Sequence, residues 1–200
     1  MAKRYYFSVH FTPSSSDMAL LTGRCIQQMH LFLVNNPTAN GQVGVCLPRW
    51  TQSSIGNTVA FVAESKEMLL GLSFQPYFSI MCKEGIFECS KVCQVPDGLP
   101  EVRFIRNQTI GKIYVASKNR RMRRCLERAK ELGNDYSPGV NEERHFNFFH
   151  RIPISSGSSG QDYLLHVQKE NAEKRALSHF SSYGLATNQE KRGTVPDLMI

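Results

Sequence analysis

The chain has 200 residues, of which 41% are hydrophobic, and it carries a formal net charge of +7 at neutral pH. This length and composition allow a sizeable core in one large or two small domains, and the excess of Lys and Arg implies a polyanionic partner. No apolar run approaches the ~18 residues of a membrane span, and the N-terminus has no signal-peptide core. We therefore expect a cytoplasmic protein with no membrane partner.

The six cysteines are dispersed through the chain. A chain of this size does not need disulfide bonds for its stability, so reduced thiols are expected. Cys82, Cys89 and Cys93 lie close together in sequence, but no fourth ligand is found nearby at zinc spacing. We therefore predict neither a metal site nor a cofactor.

The first half of the sequence has strand and helix signals in the order βαββαβ, which is typical of the ferredoxin-like fold. Alternating or continuous apolar residues indicate the strands, and the N-cap candidates Asp17 and Ser65 indicate the helix starts. The predicted elements are a strand at 5–11, a helix from 17 to about 34, strands at 43–47 and 58–62, a short helix at 65–72 and a strand at about 86–95. We assign residues 1–96 to this domain.

The second half follows a run of turn-forming residues at 96–100, which we predict to be a domain boundary. Its predicted elements are a strand near 102–106, a basic helix within 118–130, a polar loop at 133–141, an apolar segment at 146–149, a Ser/Gly loop at 155–161 and a strand at 163–167. The predicted fold class is α+β, with the ferredoxin-like domain followed by a smaller α+β domain at 97–200.

The basic helix is the feature that most constrains function, because seven of the thirteen residues from Lys118 to Lys130 are Lys or Arg. At about 100° per residue the apolar side chains share one arc, which is predicted to pack, and the basic ones share the other. The apolar arc consists of Met122, Cys125, Leu126, Ala129 and Leu132, and the basic arc of Arg120, Arg121, Arg123, Arg124, Arg128 and Lys130. An ordinary solvated face is the alternative, but such a face usually mixes both signs. Guanidinium groups spaced along a helix match repeating phosphates, so we favour a nucleic-acid partner.

Four further features are candidates for chemistry or recognition. His30 lies at the edge of the apolar stripe of the first helix, where a structural histidine is the alternative. The Ser/Gly loop offers hydroxyl and amide groups to a phosphate, and a plain hairpin loop is the alternative. Arg106 and Gln108 are spaced to share one face of a strand and to read base edges. Tyr183 offers a ring and a hydroxyl near the C-terminus, although any strand end can carry such a residue.

In chain order, these features resemble the CRISPR repeat-RNA endoribonucleases of the type I-F, or Csy, subfamily. That family has a histidine on the first helix of an N-terminal ferredoxin-like domain, matched here by Met29-His30. Its Arg-x-Gln strand before an arginine-rich helix is matched by Arg106-Asn107-Gln108 and residues 117–130. Its Ser-x-Ser-x-Gly-Gln loop ending in an aromatic residue is matched by residues 156–163, and its C-terminal Tyr-Gly-Leu by residues 183–185. The resemblance spans nearly the whole chain.

The resemblance implies metal-independent cleavage of repeat RNA at the base of a hairpin, which leaves a 2′,3′-cyclic phosphate. It implies His30 as general base or acid and Tyr183 as the group that orients the histidine or the scissile nucleotide. Ser156, or another serine of the 155–159 loop, would position the 2′-hydroxyl. Arg106 and Gln108 would read base pairs, and Tyr163 would stack on a terminal base. The other implied RNA contacts are Ser158, Gln161 and the helix residues Arg120, Arg121, Arg123, Arg124, Arg128 and Lys130.

The resemblance also implies partners, namely the repeat hairpin and the other subunits of a type I-F surveillance (Cascade) complex. The chain ends in Leu198-Met199-Ile200 rather than in an aromatic residue. This ending looks closer to transposon-encoded members, for which a transposition adaptor of the TniQ kind is a further candidate partner. Two alternatives stay open: a subunit that binds the hairpin without cutting it, and another basic RNA-binding protein, such as a ribosomal one.

Overall fold

The computed structural model describes residues 3–112, 114–133, 146–155, 160–176 and 179–200. The helices are α1 Met18–Asn35, α2 Lys66–Ser73, α3 Pro76–Lys83 and α4 Val115–Glu131, with 3-10 turns at Pro37–Ala39 and Ile110–Lys112. The strands are β1 Tyr5–Phe11, β2 Gly44–Cys46, β3 Thr58–Ala63, β4 Phe87–Cys89, β5 Cys93–Gln94, β6 Glu101–Arg106, β7 His150–Ser155, β8 Asp162–Ala172 and β9 Val195–Pro196. They form two antiparallel sheets, one from each half of the chain.

The first sheet has the strand order β2-β3-β1-β4, and β5 also pairs with β1. With α1 after β1 and two helices after β3, this is the predicted ferredoxin-like arrangement, and the α+β fold class is confirmed. The predicted helix starts are confirmed as well, since Asp17 accepts a hydrogen bond from the Leu20 amide and Ser65 accepts one from the Met68 amide.

Two parts of the first half differ from the prediction. The helix predicted to end at Leu72 is followed by a second helix, α3, because Pro76 cannot continue α2 but suits the first turn of a new helix. The strand predicted at 86–95 is split into β4 and β5. At the break, the Ser90 amide still donates to the Ser8 carbonyl, but the Ser8 amide donates to the Ser90 hydroxyl at 2.9 Å, so a side chain replaces one of the two backbone bonds of the pair.

The second sheet has the strand order β7-β8-β6-β9. The strands predicted at 102–106 and 163–167 are confirmed as parts of β6 and β8, which pair antiparallel. β7 begins at His150, directly after the predicted apolar segment, and forms a hairpin with β8 across the Ser/Gly loop. β9 was not predicted, because two residues are too few to show a period and one of them is Pro196.

The two sheets share one hydrophobic core. Helix α1 lies directly against β7: a Cβ atom on Gly23 would be 2.0 Å from the carbonyl oxygen of Pro153, so only glycine allows this approach. Residues 180–186 join the sheets, because the Val45 amide donates to the Gly184 carbonyl and the Ala186 amide donates to the Phe104 carbonyl. The division into domains at residue 96 remains a prediction.

Three further observations concern possible covalent links, metals and membranes. All six cysteines are free thiols, and burial raises the pKa of the Cys46 thiol to about 12. Within the described residues, no group of three or more His, Cys, Asp or Glu side chains is arranged to hold a metal ion. The helices in the same part of the chain are too short or too polar to cross a membrane.

Candidate functional site

The half-buried imidazole of His30, in the last third of α1, has one nitrogen held by the backbone. Nδ1 lies 3.1 Å from the carbonyl oxygen of Ser182. Because a carbonyl oxygen only accepts hydrogen bonds, Nδ1 must carry a proton in this contact, and Nε2 of the neutral ring then has the lone pair. No other described residue forms a hydrogen bond with His30. The geometry therefore leaves Nε2 able to accept a proton from a bound molecule.

The ring of Tyr183 stacks on this imidazole, with the ring centroids 4.5 Å apart and the planes inclined by 17°. The Tyr183 hydroxyl accepts a hydrogen bond from the hydroxyl of Tyr163 in β8. The two tyrosine rings stand nearly perpendicular, at a centroid distance of 6.3 Å. Burial and, secondly, this hydrogen bond raise the pKa of Tyr163 to about 12, so its hydroxyl stays protonated near neutral pH.

Arg106, the last residue of β6, brings a fixed positive charge to the same place. Its guanidinium carbon lies 5.4 Å from the centroid of the Tyr183 ring and 6.0 Å from that of the Tyr163 ring. These distances are typical of cation–π contacts. His30, Tyr163, Tyr183 and Arg106 therefore form one cluster, which we call the His30 cluster. Its positive charge and hydrogen-bonding groups suit a phosphate-containing ligand.

A tight turn presents Ser182 and Tyr183 to His30. The turn is closed by a hydrogen bond of 2.9 Å from the Gly184 amide to the Ser181 carbonyl, and Gly184 has a φ of +68°. A Cβ atom at Gly184 would lie 2.7 Å from Val45 and 2.9 Å from Met29. Glycine is thus required here both by the left-handed backbone and by the lack of space. This explains in physical terms the glycine of the Tyr-Gly-Leu sequence at 183–185.

The Ser/Gly loop begins beside the same face of α1. Gln27, one helical turn before His30, donates a hydrogen bond of 2.7 Å from Nε2 to the carbonyl oxygen of Ser155, the last residue of β7. The predicted residues Ser156 and Ser158 lie outside the described residues. Gln161 is exposed just before β8 begins.

The prediction that Arg106 and Gln108 share one face of a strand is wrong. β6 ends at Arg106, and Gln108 lies in an exposed turn. Asn107 ends the strand, because its side-chain oxygen accepts hydrogen bonds from the Thr109 amide and hydroxyl, an Asx-type turn. Arg106 therefore belongs to the His30 cluster, whereas Gln108 lies on the turn that leads towards α4.

Helix α4 presents its basic arc to solvent as predicted. All six predicted residues are exposed, and none forms an ion pair or side-chain hydrogen bond with another described residue: Arg120, Arg121, Arg123, Arg124, Arg128 and Lys130. The prediction that the apolar arc packs is wrong, because Met122, Leu126 and Leu132 leave 44%, 43% and 73% of their surface exposed. Cys125 and Ala129 are half-buried, so among the described side chains of the helix the apolar arc is covered only in part.

Aromatic side chains attach the start of α4 to the second sheet. Tyr114, the N-cap residue, has its ring 5.7 Å from that of the buried His166 in β8. The guanidinium of Arg151 in β7 lies over the Tyr114 ring at 5.4 Å. Burial, and then the nearby Arg151 charge, lower the pKa of His166, which keeps its ring neutral near pH 7. The start of the basic helix is thus held on the sheet that carries Tyr163 and Arg106.

Comparison with known proteins identifies the family. A family model described as "CRISPR-associated protein (Cas_Csy4)" matches residues 6–198. The chain belongs to the Cas_Csy4 family. This membership supports a role in processing CRISPR repeat RNA, in agreement with the resemblance noted from the motifs.

Two other comparisons do not contribute to the Cas_Csy4 assignment. A solved structure titled "CRISPR associated protein Cas6" covers 86% of this chain and 88% of its own, with 8% sequence identity and a TM-score of 0.30. No curated protein matches the chain significantly. The assignment therefore rests on the family model.

In this Cas_Csy4 protein the structure brings together some of the predicted residues and leaves others apart. His30, Tyr163, Tyr183 and Arg106 meet, while Gln108 and the basic arc of α4 form separate surfaces. Sequence reasoning missed the Ser182 carbonyl and Gln27. A backbone carbonyl has no sequence signal at all, whereas Gln27 had one, because it lies three residues before His30 on the same helix face.

Proposed function

We propose that this chain is an endoribonuclease that cuts CRISPR repeat RNA at the base of a hairpin and remains bound to the product. The proposal is based on the arrangement of His30. Its Nδ1 donates to a backbone carbonyl, and its ring stacks on Tyr183. In a member of the Cas_Csy4 family, this leaves one imidazole nitrogen oriented for proton transfer.

The proposed reaction uses the RNA itself as the nucleophile. The 2′-oxygen attacks the adjacent phosphorus as its proton passes to Nε2 of His30, and the bond from phosphorus to the 5′-oxygen breaks. The 5′-oxygen takes up a proton from His30 or water, which leaves a 2′,3′-cyclic phosphate and a 5′-hydroxyl end. Arg106, as a member of the His30 cluster, would stabilise the negative charge that develops on the phosphorane. Ser156 would position the 2′-hydroxyl, and no metal ion takes part.

Affinity and sequence selection are assigned mainly to surfaces outside the His30 cluster, and Arg106 and Tyr163 of the cluster also contact the RNA in this proposal. The basic arc of α4 would follow the phosphates of the hairpin stem, entering where the groove opens next to a loop or helix end, since the major groove of regular A-form RNA is deep and narrow. Arg106 and Gln108 would read base pairs at the foot of the stem. Tyr163 would stack on a terminal base, and Ser158 and Gln161 would contact the same RNA.

The proposed partners follow from retention of the product. After cutting, the protein would stay on the hairpin of the guide RNA and join the other subunits of a type I-F surveillance (Cascade) complex. In a transposon-encoded system, an adaptor of the TniQ kind would be a further partner. Because the six exposed cations of α4 lie apart from the His30 cluster, hairpin binding without cutting is the second candidate function.

A cleavage assay separates the two functions. The purified protein is incubated with its neighbouring repeat RNA in EDTA, alongside the same RNA with a single 2′-deoxy substitution immediately upstream of the scissile phosphate. We expect the unmodified RNA to be cut to a cyclic-phosphate product and the deoxy RNA to be bound but left intact. Cleavage of the deoxy RNA, or activity that appears only with magnesium, would refute the mechanism. Tight binding of both RNAs without any cleavage would establish the binding subunit instead.

A further inference from the structure

The hydrogen bond between the hydroxyls of Tyr163 and Tyr183 has no part in the roles assigned above. Base stacking uses only the ring of Tyr163, and contact with His30 uses only the ring of Tyr183. Yet the two hydroxyl groups meet, and Tyr163 is the donor. A hydrogen bond between two side chains that are twenty positions apart in sequence holds their rings in one relative orientation.

We propose that the Tyr163 hydroxyl is a positioning group that holds Tyr183 against His30 and so keeps the imidazole oriented for cleavage. This inference rests on the proposed endoribonuclease function. It concerns a residue that does not itself touch the reacting atoms through its hydroxyl, and it adds to the ring stacking already assigned to Tyr163.

The backbone segments that carry Tyr163 and Tyr183 differ in rigidity. Tyr163 lies in β8, where it is opposite Ile154 of β7 in a regular antiparallel pair. Tyr183 lies in a turn, so its backbone has no strand partner at this position. A tyrosine side chain also has two rotatable bonds, and stacking alone does not stop the ring from sliding over the imidazole. The hydroxyl bond fixes the far end of the Tyr183 ring to the stiffer element.

The direction of the hydrogen bond has a second consequence. Because Tyr163 donates to the Tyr183 oxygen, the proton of the Tyr183 hydroxyl is directed away from Tyr163. It is then available to an acceptor oxygen outside the pair, such as a non-bridging oxygen of the RNA phosphate. The pKa of Tyr163 is raised to about 12, first by burial and then by this bond, so the donor persists across the pH range of an assay.

The test is the substitution Tyr163→Phe, which removes the hydroxyl but keeps the ring for base stacking. We expect the affinity for repeat RNA to change less than twofold and the single-turnover cleavage rate to fall about two- to tenfold, as for the loss of one neutral hydrogen bond. The matched control is Tyr77→Phe on α3, whose ring packs on Phe78 and Phe87. This control should cut at the wild-type rate. An unchanged rate for Tyr163→Phe, or a loss of affinity equal to the loss of rate, would overturn the inference.

A double-mutant cycle tells positioning from a general loss of stability. Tyr183→Phe removes the acceptor of the same hydrogen bond, so the double variant should cut no more slowly than Tyr183→Phe alone. Additive losses would show that the two hydroxyls act independently and would contradict the proposal. If Tyr163→Phe does not fold, Tyr183→Phe removes the same hydrogen bond, and its effect on the His30 ring is then measured in the RNA-free protein, where no phosphate contact contributes.

A measurement on the RNA-free protein separates this inference from the proposed function. Stacking on Tyr183 shields the imidazole protons of His30, so their NMR signals should move downfield in Tyr163→Phe as the ring loosens. Unmoved signals would refute the positioning role even if the wild-type protein cuts RNA. If the wild-type protein binds repeat RNA without cutting it, the endoribonuclease proposal fails, while the shifted signals would still support the link from Tyr163 through Tyr183 to His30.

Discussion

At the scale of single residues, the two nitrogens of His30 have different environments, and this difference determines what the side chain can do. Nδ1 is held by the Ser182 carbonyl at 3.1 Å, which selects the tautomer and fixes the ring. Here Nε2 forms no hydrogen bond with a described residue, and the Tyr183 ring stacks on one face of the imidazole, which favours the catalytic interpretation.

We predict that His30→Ala separates binding from cutting. Loss of one general acid-base group slows a reaction about a hundred- to ten-thousand-fold, while the phosphate contacts of α4 remain. Single-turnover cleavage and filter binding on the same repeat RNA measure the two effects. The matched control is His10→Ala in β1, whose ring has the Thr58 hydroxyl as its one hydrogen-bond partner among the described residues. A His30→Ala variant that cuts as fast as the control would return His30 to a structural role.

A second prediction at this scale concerns Gly184. Gly184→Ala forces a side chain into a left-handed position, which costs about 1 kcal/mol, and into contact with Val45 and Met29, which adds about 1 to 3 kcal/mol. Gly98 has a similar φ of +78° but nothing within 4 Å of its Cβ position. Gly98→Ala should therefore lose only the free energy of unfolding that the left-handed backbone costs. Urea denaturation measures the free energy of unfolding of both variants. Because the turn carries Ser182 and Tyr183, we expect only Gly184→Ala to reduce cleavage. If Gly184→Ala and Gly98→Ala lost equal stability and equal cleavage activity, this explanation of the turn would be refuted.

At the scale of whole elements, α4 shows which features local sequence can and cannot determine. Its residues are mostly strong helix formers, such as Arg, Lys, Glu, Leu and Ala, so the helix is predictable from the sequence alone. Whether its apolar arc is covered depends on what lies opposite, and periodicity carries no information about that. The same limit applies to β9, a two-residue strand whose pairing with β6 depends on the position of its neighbour. The start of α3 at Pro76, by contrast, has a local signal that the prediction overlooked.

We predict that α4 supplies affinity through phosphates and not through base readout. Arg121→Ala or Arg124→Ala should weaken hairpin binding on every stem sequence and lower the dependence of log K on log salt by about one unit each. The control is Lys66→Ala, which removes an exposed cation from α2 and should leave the slope unchanged. RNA-binding titrations at several salt concentrations measure this slope. If the arginine variants kept the wild-type slope, the phosphate contacts would have to lie elsewhere.

At the scale of the whole molecule, the candidate site lies where the two halves meet. His30 comes from α1 of the first half, Tyr163 and Arg106 come from the second sheet, and Tyr183 comes from the segment that joins them. The motifs identified each residue, but the sequence could not show that they touch, because contacts such as that of His30 with Ser182 join positions 152 residues apart. The packing of α1 on β7 and the hydrogen bonds of residues 180–186 to both sheets create this proximity. The catalytic geometry should therefore depend on the interface between the halves.

We predict that the two halves unfold together. The single tryptophan reports on the interface, since Trp50 lies in a loop of the first half with its ring 5.6 Å from Phe104 and 4.3 Å from His150 of the second. Trp fluorescence and far-UV circular dichroism should therefore give coincident urea transitions. An earlier fluorescence transition, with most secondary structure retained, would show instead that the halves separate before they unfold.

The interface can be tested directly at Gly23. A Cβ atom there would lie 2.0 Å from the Pro153 carbonyl oxygen, which is backbone and cannot move aside, so Gly23→Ala must push α1 away from β7. We expect it to lower the free energy of unfolding by about 1 to 3 kcal/mol and to slow cleavage of repeat RNA, because His30 moves relative to Tyr163 and Arg106. Gly71→Ala in α2 is the matched control: its Cβ would be 3.4 Å from Phe32, and alanine favours the helix by about 1 kcal/mol, so this variant should be at least as stable as wild type and fully active. If Gly23→Ala cut RNA at the rate of Gly71→Ala despite being less stable, the contact between α1 and β7 would support the fold alone and not the placement of His30.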